Sequence, residues 1–131
     1  MKTYFDKLKH FITELEYEIV SEVASEELIV VDKEEDGIKN LILDCEDDIL
    51  IIEGHLFEVQ NATTEMLEWL LKTNRNIIHG AFVLDDTGKK VLFRDTLQLE
   101  HLDLNELEAS LNSLQLLLSE YMNELIVFSK H

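Results

Sequence analysis

The residues able to do chemistry fall into two acidic runs, five histidines, one cysteine and two arginines. Asp32-Lys33-Glu34-Glu35-Asp36-Gly37 sets acids at alternate positions with glycine sixth, as at the start of a calcium-binding EF-hand loop. Such a loop needs a bidentate acid at its twelfth position, where this chain has Leu43, and the flanks read as strands. Asp44, Glu46, Asp47 and Asp48 fail the same register, with Ile49 in the glycine place and His55 in the acid place. Both runs read as solvated turns, a weak cation site being the minor alternative. His10, His55, His79, His101 and His131 never form His-x-x-x-His or His-Glu-x-x-His, so no zinc signature is present. His79, beside Gly80 at a strand entrance, is placed for a structural hydrogen bond. Cys45 ends an apolar strand, where a buried inert thiol is the common outcome; a histidine distant in sequence is the alternative. Four scattered glycines form no P-loop, no Gly-x-Gly-x-x-Gly and no Gly-x-Ser-x-Gly. Arg75 and Arg94 are each expected to meet a carboxylate, with a ligand-facing Arg94 as the second reading. These residues predict no enzyme, no metal and no cofactor.

Composition narrows the class further. A chain of 131 residues with 46% apolar content is expected to form one domain, 1–131, with a core that needs no disulfide or metal. One cysteine has no partner for a bridge, which fits a reducing compartment. Charges interrupt every apolar pair in Met1–His10, and no apolar run approaches the ~18 residues of a membrane span. The expectation is a cytoplasmic protein without membrane insertion. Net charge is −17, with 17 acids and 5 bases in residues 1–60 and 11 acids and 6 bases in residues 61–131. A field of that sign repels nucleic acid and anionic lipid; it favours a basic partner or simply keeps the chain in solution.

The elements that must position these residues follow from periodicity. Tyr4, Phe5, Leu8, Phe11, Ile12 and Leu15 recur at helical spacing over residues 4–15. Ile19-Val20, Leu28–Val31, Ile38–Leu43, Ile49–Ile52 and Leu56–Val59 are short, β-branched and separated by acidic or glycine-bearing turns, as in antiparallel strands. A second helix is expected over 62–73 with Asn61 as N-cap. At about 100° per residue, Met66, Leu67, Trp69, Leu70 and Leu71 fill an arc of about 200°, wider than one core contact needs. This helix must touch two apolar surfaces, its own sheet and a second one that a partner subunit could supply. A hairpin, Ala81–Leu84 and Val91–Leu97, turns at Asp85–Gly88. Asp103 then caps a last helix, with Glu106 three residues on. Leu104, Leu107, Leu111, Leu114, Leu118, Tyr121 and Leu125 form its seam. The seam suits a core helix on the sheet better than a coiled coil, since Ser110, Leu117 and Met122 stand where paired charges belong.

The stretch from Leu70 to Leu125 resembles the type III secretion chaperone-like superfamily, and within it the YbjN-like branch. The match is carried by Leu70, Leu71 and Asn74, by Phe82, Leu84, Asp85 and Gly88, and by Val91, Phe93, Leu97 and Leu99. The resemblance implies an α+β sandwich of an antiparallel sheet packed with helices, in the order helix, three or more strands, helix, hairpin, helix. It also implies a non-catalytic homodimer that holds a segment of another protein in apolar grooves, or a regulatory subunit that binds a folded partner. On that reading Met66, Trp69 and Leu70 of the middle helix form the dimer interface. Leu8, Phe11 and Ile12, or the outer face of the early strands, contact the partner protein.

Overall fold

A computed structural model of the protein describes residues 3–130. Helix α1 (Tyr4–Glu14) starts at Thr3, whose hydroxyl accepts from the Asp6 amide while the Asp6 carboxylate accepts from the Thr3 amide. That reciprocal pair satisfies two donors that a helix start leaves unpaired. Four strands follow, β1 (Glu18–Val23), β2 (Leu28–Lys33), β3 (Ile38–Glu46) and β4 (Ile49–Glu58). Helix α2 (Thr64–Thr73), strands β5 (Ala81–Leu84) and β6 (Lys90–Gln98), and helix α3 (Leu104–Ser129) complete the order. The architecture is the α+β sandwich expected, with four strands ahead of α2 where its simplest form has three.

The six strands form one antiparallel sheet in the order β1-β2-β3-β4-β6-β5. Residues 49–52 and 56–59 are expected as separate strands; 49–52 and 56–58 belong to the single strand β4, which runs through Gly54, and Val59 lies just past its end. Glycine there is a matter of space. A Cβ at Gly54 would lie 3.2 Å from Leu41 Cδ1 and 3.8 Å from Leu114 Cδ2, where α3 crosses the sheet. A bulge at Leu56 shifts the register with β6, and a second one at Val20 shifts β1 against β2.

All three helices are amphipathic toward one core. Ile29 and Val31, Leu41 and Leu43, Leu50 and Ile52, Val91 and Phe93 alternate along their strands and are buried beneath the helices. On α3, Leu107, Leu111, Leu114 and Leu125 of the expected seam are buried, while Leu104, Leu118 and Tyr121 are half-buried. Ser110 and Ser113 are buried beside them, and both are bonded. Ser110 Oγ donates to Asp95 Oδ2 at 2.7 Å, and Ser113 Oγ donates to the His79 carbonyl at 2.7 Å. This explains why a small hydroxyl, Ser110, stands where a coiled coil carries a charge.

Helix α2 is capped by Thr63, not Asn61: the Thr63 hydroxyl accepts from the Met66 amide at 3.1 Å. Either residue type serves as an N-cap. Asp103 caps α3 by accepting from the Glu106 amide at 2.8 Å. The β5–β6 turn closes through Asp85, whose carboxylate accepts from Thr87 Oγ1 and the Lys90 amide, with Gly88 at φ 72°.

Candidate protein-binding surface

The helical period of α1 that buries Phe5 also buries Leu8 and Ile12, both at 0% exposure. These two are core residues, which corrects the expectation that they offer contacts to a partner. Of the three, only Phe11 keeps accessible surface, at the edge of the buried stripe, with Lys7 Nζ 5.6 Å from its ring centre. Met66 and Leu70 are likewise buried in the chain's own core, 2% and 5% exposed. Trp69 is held in an aromatic cluster, its ring 5.8 Å from Phe82, 5.6 Å from Tyr121 and 5.4 Å from Phe128. The second apolar surface that the wide arc of α2 demands is thus α3 of the same chain. This packing leaves Met66 and Leu70 with almost nothing to offer a second subunit, and it is Leu71, 70% exposed, that α2 shows to solvent.

Among the described residues, no helix lies on the opposite face of the sheet. In register across the strands lie Leu28, Asp44, Ile51 and Thr96, then Val30, Ile42, Glu53 and Arg94, with Leu92 beside Val83. Val23, Ile42 and Ile49 are 41%, 38% and 42% exposed. An antiparallel sheet with one solvated face normally alternates apolar and polar residues. Here Leu28–Val31, Leu41–Leu43, Ile49–Ile52 and Val91–Phe93 are continuous apolar runs, the pattern of strands covered on both sides. That continuity is the sequence signal for these residues, readable only once the faces are known.

Among the described residues a single ion pair crosses this face. Arg94 Nε donates to Glu53 Oε1 at 3.1 Å, meeting a carboxylate as expected. Arg75 is exposed and pairs with no carboxylate among the described residues. Asp44 Oδ1 is buried without a donor. Glu46, next on the same side of β3, has its carboxyl raised, first by a hydrogen bond to Asp44 and then by that neighbour's charge. Of the two protonation states of Glu46, only the neutral carboxyl can donate to Asp44.

Cys45 is not activated as a nucleophile. The Cys45 thiol is buried, and burial first, then the charges of Glu27 and Asp44, push it up to about 12. A reactive cysteine is shifted the opposite way. His79 bonds through its backbone, its amide donating to Ser113 Oγ at 3.2 Å. The two acidic runs form separate turns, Glu34–Asp36 as a 3₁₀ turn closed by Gly37, and Asp47-Asp48 between β3 and β4.

The fold is the α+β sandwich of chaperone-like proteins. The whole chain, residues 1–131, matches the CesT_Tir_1 model, and the protein belongs to that type III secretion chaperone family. Comparison with curated proteins finds no significant match. Three solved structures share the fold. YbjN from E. coli, a candidate transcription regulator, superposes with a TM-score of 0.71 at 13% identity, covering 92% of each chain. The Yersinia pestis type III secretion chaperone SycH, in complex with a stable fragment of YscM2, gives 0.62 at 19% identity, covering 97% of this chain and 100% of the other. The HopA1–SchA chaperone–effector complex gives 0.61 at 15% identity, covering 97% and 94%.

Proposed function

We propose that this protein is a non-catalytic, homodimeric, cytoplasmic binding module that holds a segment of another protein, as chaperones of its family do, and needs no cofactor. The observation that carries the reading is the open face of the sheet, where Val30, Ile42, Ile51, Leu92 and Val83 form an apolar field with no helix above it. An extended segment with alternate apolar residues suits such a field. Net charge of −17 selects for lysine and arginine between those residues. The second reading, a regulatory subunit on a folded partner, draws on the similarity to YbjN.

Purification of the tagged protein from its own cells, at low and high salt, separates the two. A stoichiometric partner held by a segment that is disordered when free supports the chaperone reading, and Ile42→Glu should release it. One stable folded partner supports the regulator. Capture that is unchanged in both Ile42→Glu and Leu92→Glu removes the open face from the proposal.

A further inference from the structure

Three of the chain's nine lysines, Lys89, Lys90 and Lys130, line one hollow of about 1210 Å³ between the β5–β6 turn, the segment after β4 and the end of α3. Glu58 is the one acid on its wall. Among the described residues none of the three lysines is ion-paired. In a chain of 28 acids and 11 bases this is a local reversal of sign. Two of these lysines stand on fixed backbone. The Lys89 carbonyl accepts from the Val59 amide at 2.8 Å, and the Lys89 amide donates to Thr87 Oγ1 at 3.1 Å. The Lys90 amide donates to Asp85 Oδ1 at 3.1 Å, and its carbonyl accepts from the Asp85 amide at 3.0 Å. The Asp85 carboxylate is thus engaged inside the turn.

A second, apolar hollow of about 230 Å³ adjoins the first and shares Val59, Asn61 and Thr63 with it. The rest of its wall is Met66 of α2 with Val127 and Phe128 of α3, and Glu65 is its one charged residue. Val59 and Met66 are buried, whereas Val127 is open to solvent. Asn61 stands on the shared wall. Since Thr63 caps α2, the Asn61 side chain is released from that task, and it has no hydrogen-bond partner among the described residues. An apolar cavity of about 150 Å³ can hold benzene. The apolar hollow, at about 230 Å³, therefore takes one ring or a short alkyl chain.

We propose that the two hollows together bind a small amphipathic monoanion, an alkyl or aryl carboxylate, with its head among Lys89, Lys90 and Lys130 and its tail against Val59, Val127 and Phe128. An apolar pocket with a few polar groups at one end is the general form of a small-molecule site. Charge selects the head group. Three lysines against Glu58 leave an excess that one carboxylate satisfies, and the Asn61 amide adds a donor at the junction. An amine placed there meets three like charges. A polyanion is repelled by the rest of a chain at −17. A single small anion feels mainly the nearest charges, since the Debye length is about 8 Å at physiological salt. The site is separate from the open sheet face: neither Ile42 nor Leu92 lines it, and it does not depend on the binding of a protein segment.

Trp69 reports occupancy, because this one tryptophan has its ring 5.4 Å from that of Phe128 on the apolar wall. Titration of the intact protein with sodium octanoate to about 10 mM should give a saturable change in Trp69 fluorescence and a single site by calorimetry. Affinity should rise about fourfold per methylene from hexanoate to octanoate, and octylamine should bind at least about tenfold more weakly. The double variant Lys89→Gln, Lys130→Gln and the single variant Val127→Glu, all at exposed positions, should each weaken octanoate at least about tenfold with circular dichroism unchanged. Ile42→Glu should leave octanoate binding intact, which separates this site from the sheet face proposed for a protein segment. Absence of saturable binding, equal binding of octanoate and octylamine, or native affinity in both the lysine and the Val127 variants overturns the site.

Discussion

At the scale of single residues, the buried, unsatisfied oxygen of Asp44 is a weak point of the sheet's open face. It lies between Leu28 and Ile51 in the register, with two carboxyls on the same side of β3 and one donor missing. Glu46 is raised by Asp44, so the pair is better satisfied with a proton than without one. A raised folded value means that the favourable state is fully present at acid pH and is lost as pH rises through the shifted carboxyl range. Glu46→Gln supplies the donor permanently. It should raise the urea midpoint at neutral pH and leave it unchanged in acid, where the native carboxyl is already protonated. An equal gain at both pH values would mean that the carboxyl pair is not the cause.

Cys45 gives a second residue-scale prediction, of opposite pH range. Its ordinary value is 9.0 and the folded chain pushes it to about 12. Between those values the folded state binds a proton that the unfolded state has lost. Stability is therefore intact below pH 9 and falls as pH rises toward 12, by at most about 1.4 kcal/mol per pH unit. Burial raises the Tyr17 phenol too, from 10.0, so its contribution starts to decline at higher pH than that of Cys45. Urea midpoints measured across this window should fall for the native chain and fall less for Cys45→Ala at the lower end.

At the scale of elements, the segment between α2 and β5 is held more firmly than its exposure suggests. Asn74 occupies the hydrogen-bonding groups of Phe82 and so blocks the outer edge of β5 from another strand. Asn74→Ala should cost about 1–2 kcal/mol by leaving those backbone groups unpaired. Gly80→Ala should cost at least about 2 kcal/mol, since it combines a left-handed φ with a clash against the buried ring of Phe93. Chemical denaturation reads both, and a neutral Gly80→Ala would show that the segment relaxes freely.

The same elements show what sequence alone can carry. α1, the β5–β6 hairpin and the start of α3 were legible because their signals are local: an apolar period, a glycine turn, an aspartate cap. β4 was not, because Gly54 reads as a break until Leu114 of α3 is seen crossing above it. The wide arc of α2 correctly announced two apolar contacts. It could not say that the second is Tyr121 and Phe128, more than fifty residues downstream. Leu8 and Ile12 illustrate the same limit: a period identifies an apolar stripe but not whether a sheet of the same chain or another protein covers it. The face proposed for binding was the least legible part, since it consists of the strands' second faces.

At the scale of the whole molecule, charge acts on folding and on binding with opposite signs. A chain at −17 repels itself when compact, and its acids are concentrated in residues 1–60, which hold β1 to β4. Added salt screens that repulsion over a Debye length of about 10 Å at 0.1 M, so the free protein should become more stable from low to moderate ionic strength. A basic segment arriving at the open face is steered by the same field, and screening removes the steering. Its association rate should fall by tenfold or more over the same range, on the order of 10⁷ to 10⁶ M⁻¹s⁻¹, with a much smaller change in dissociation. Thermal melts and stopped-flow binding in a common salt series test the two slopes together. A melting temperature that rises while the association rate stays flat would mean that the acidity serves solubility alone. The partner would then be chosen by the apolar field of Val30, Ile42, Ile51, Leu92 and Val83 without help from charge.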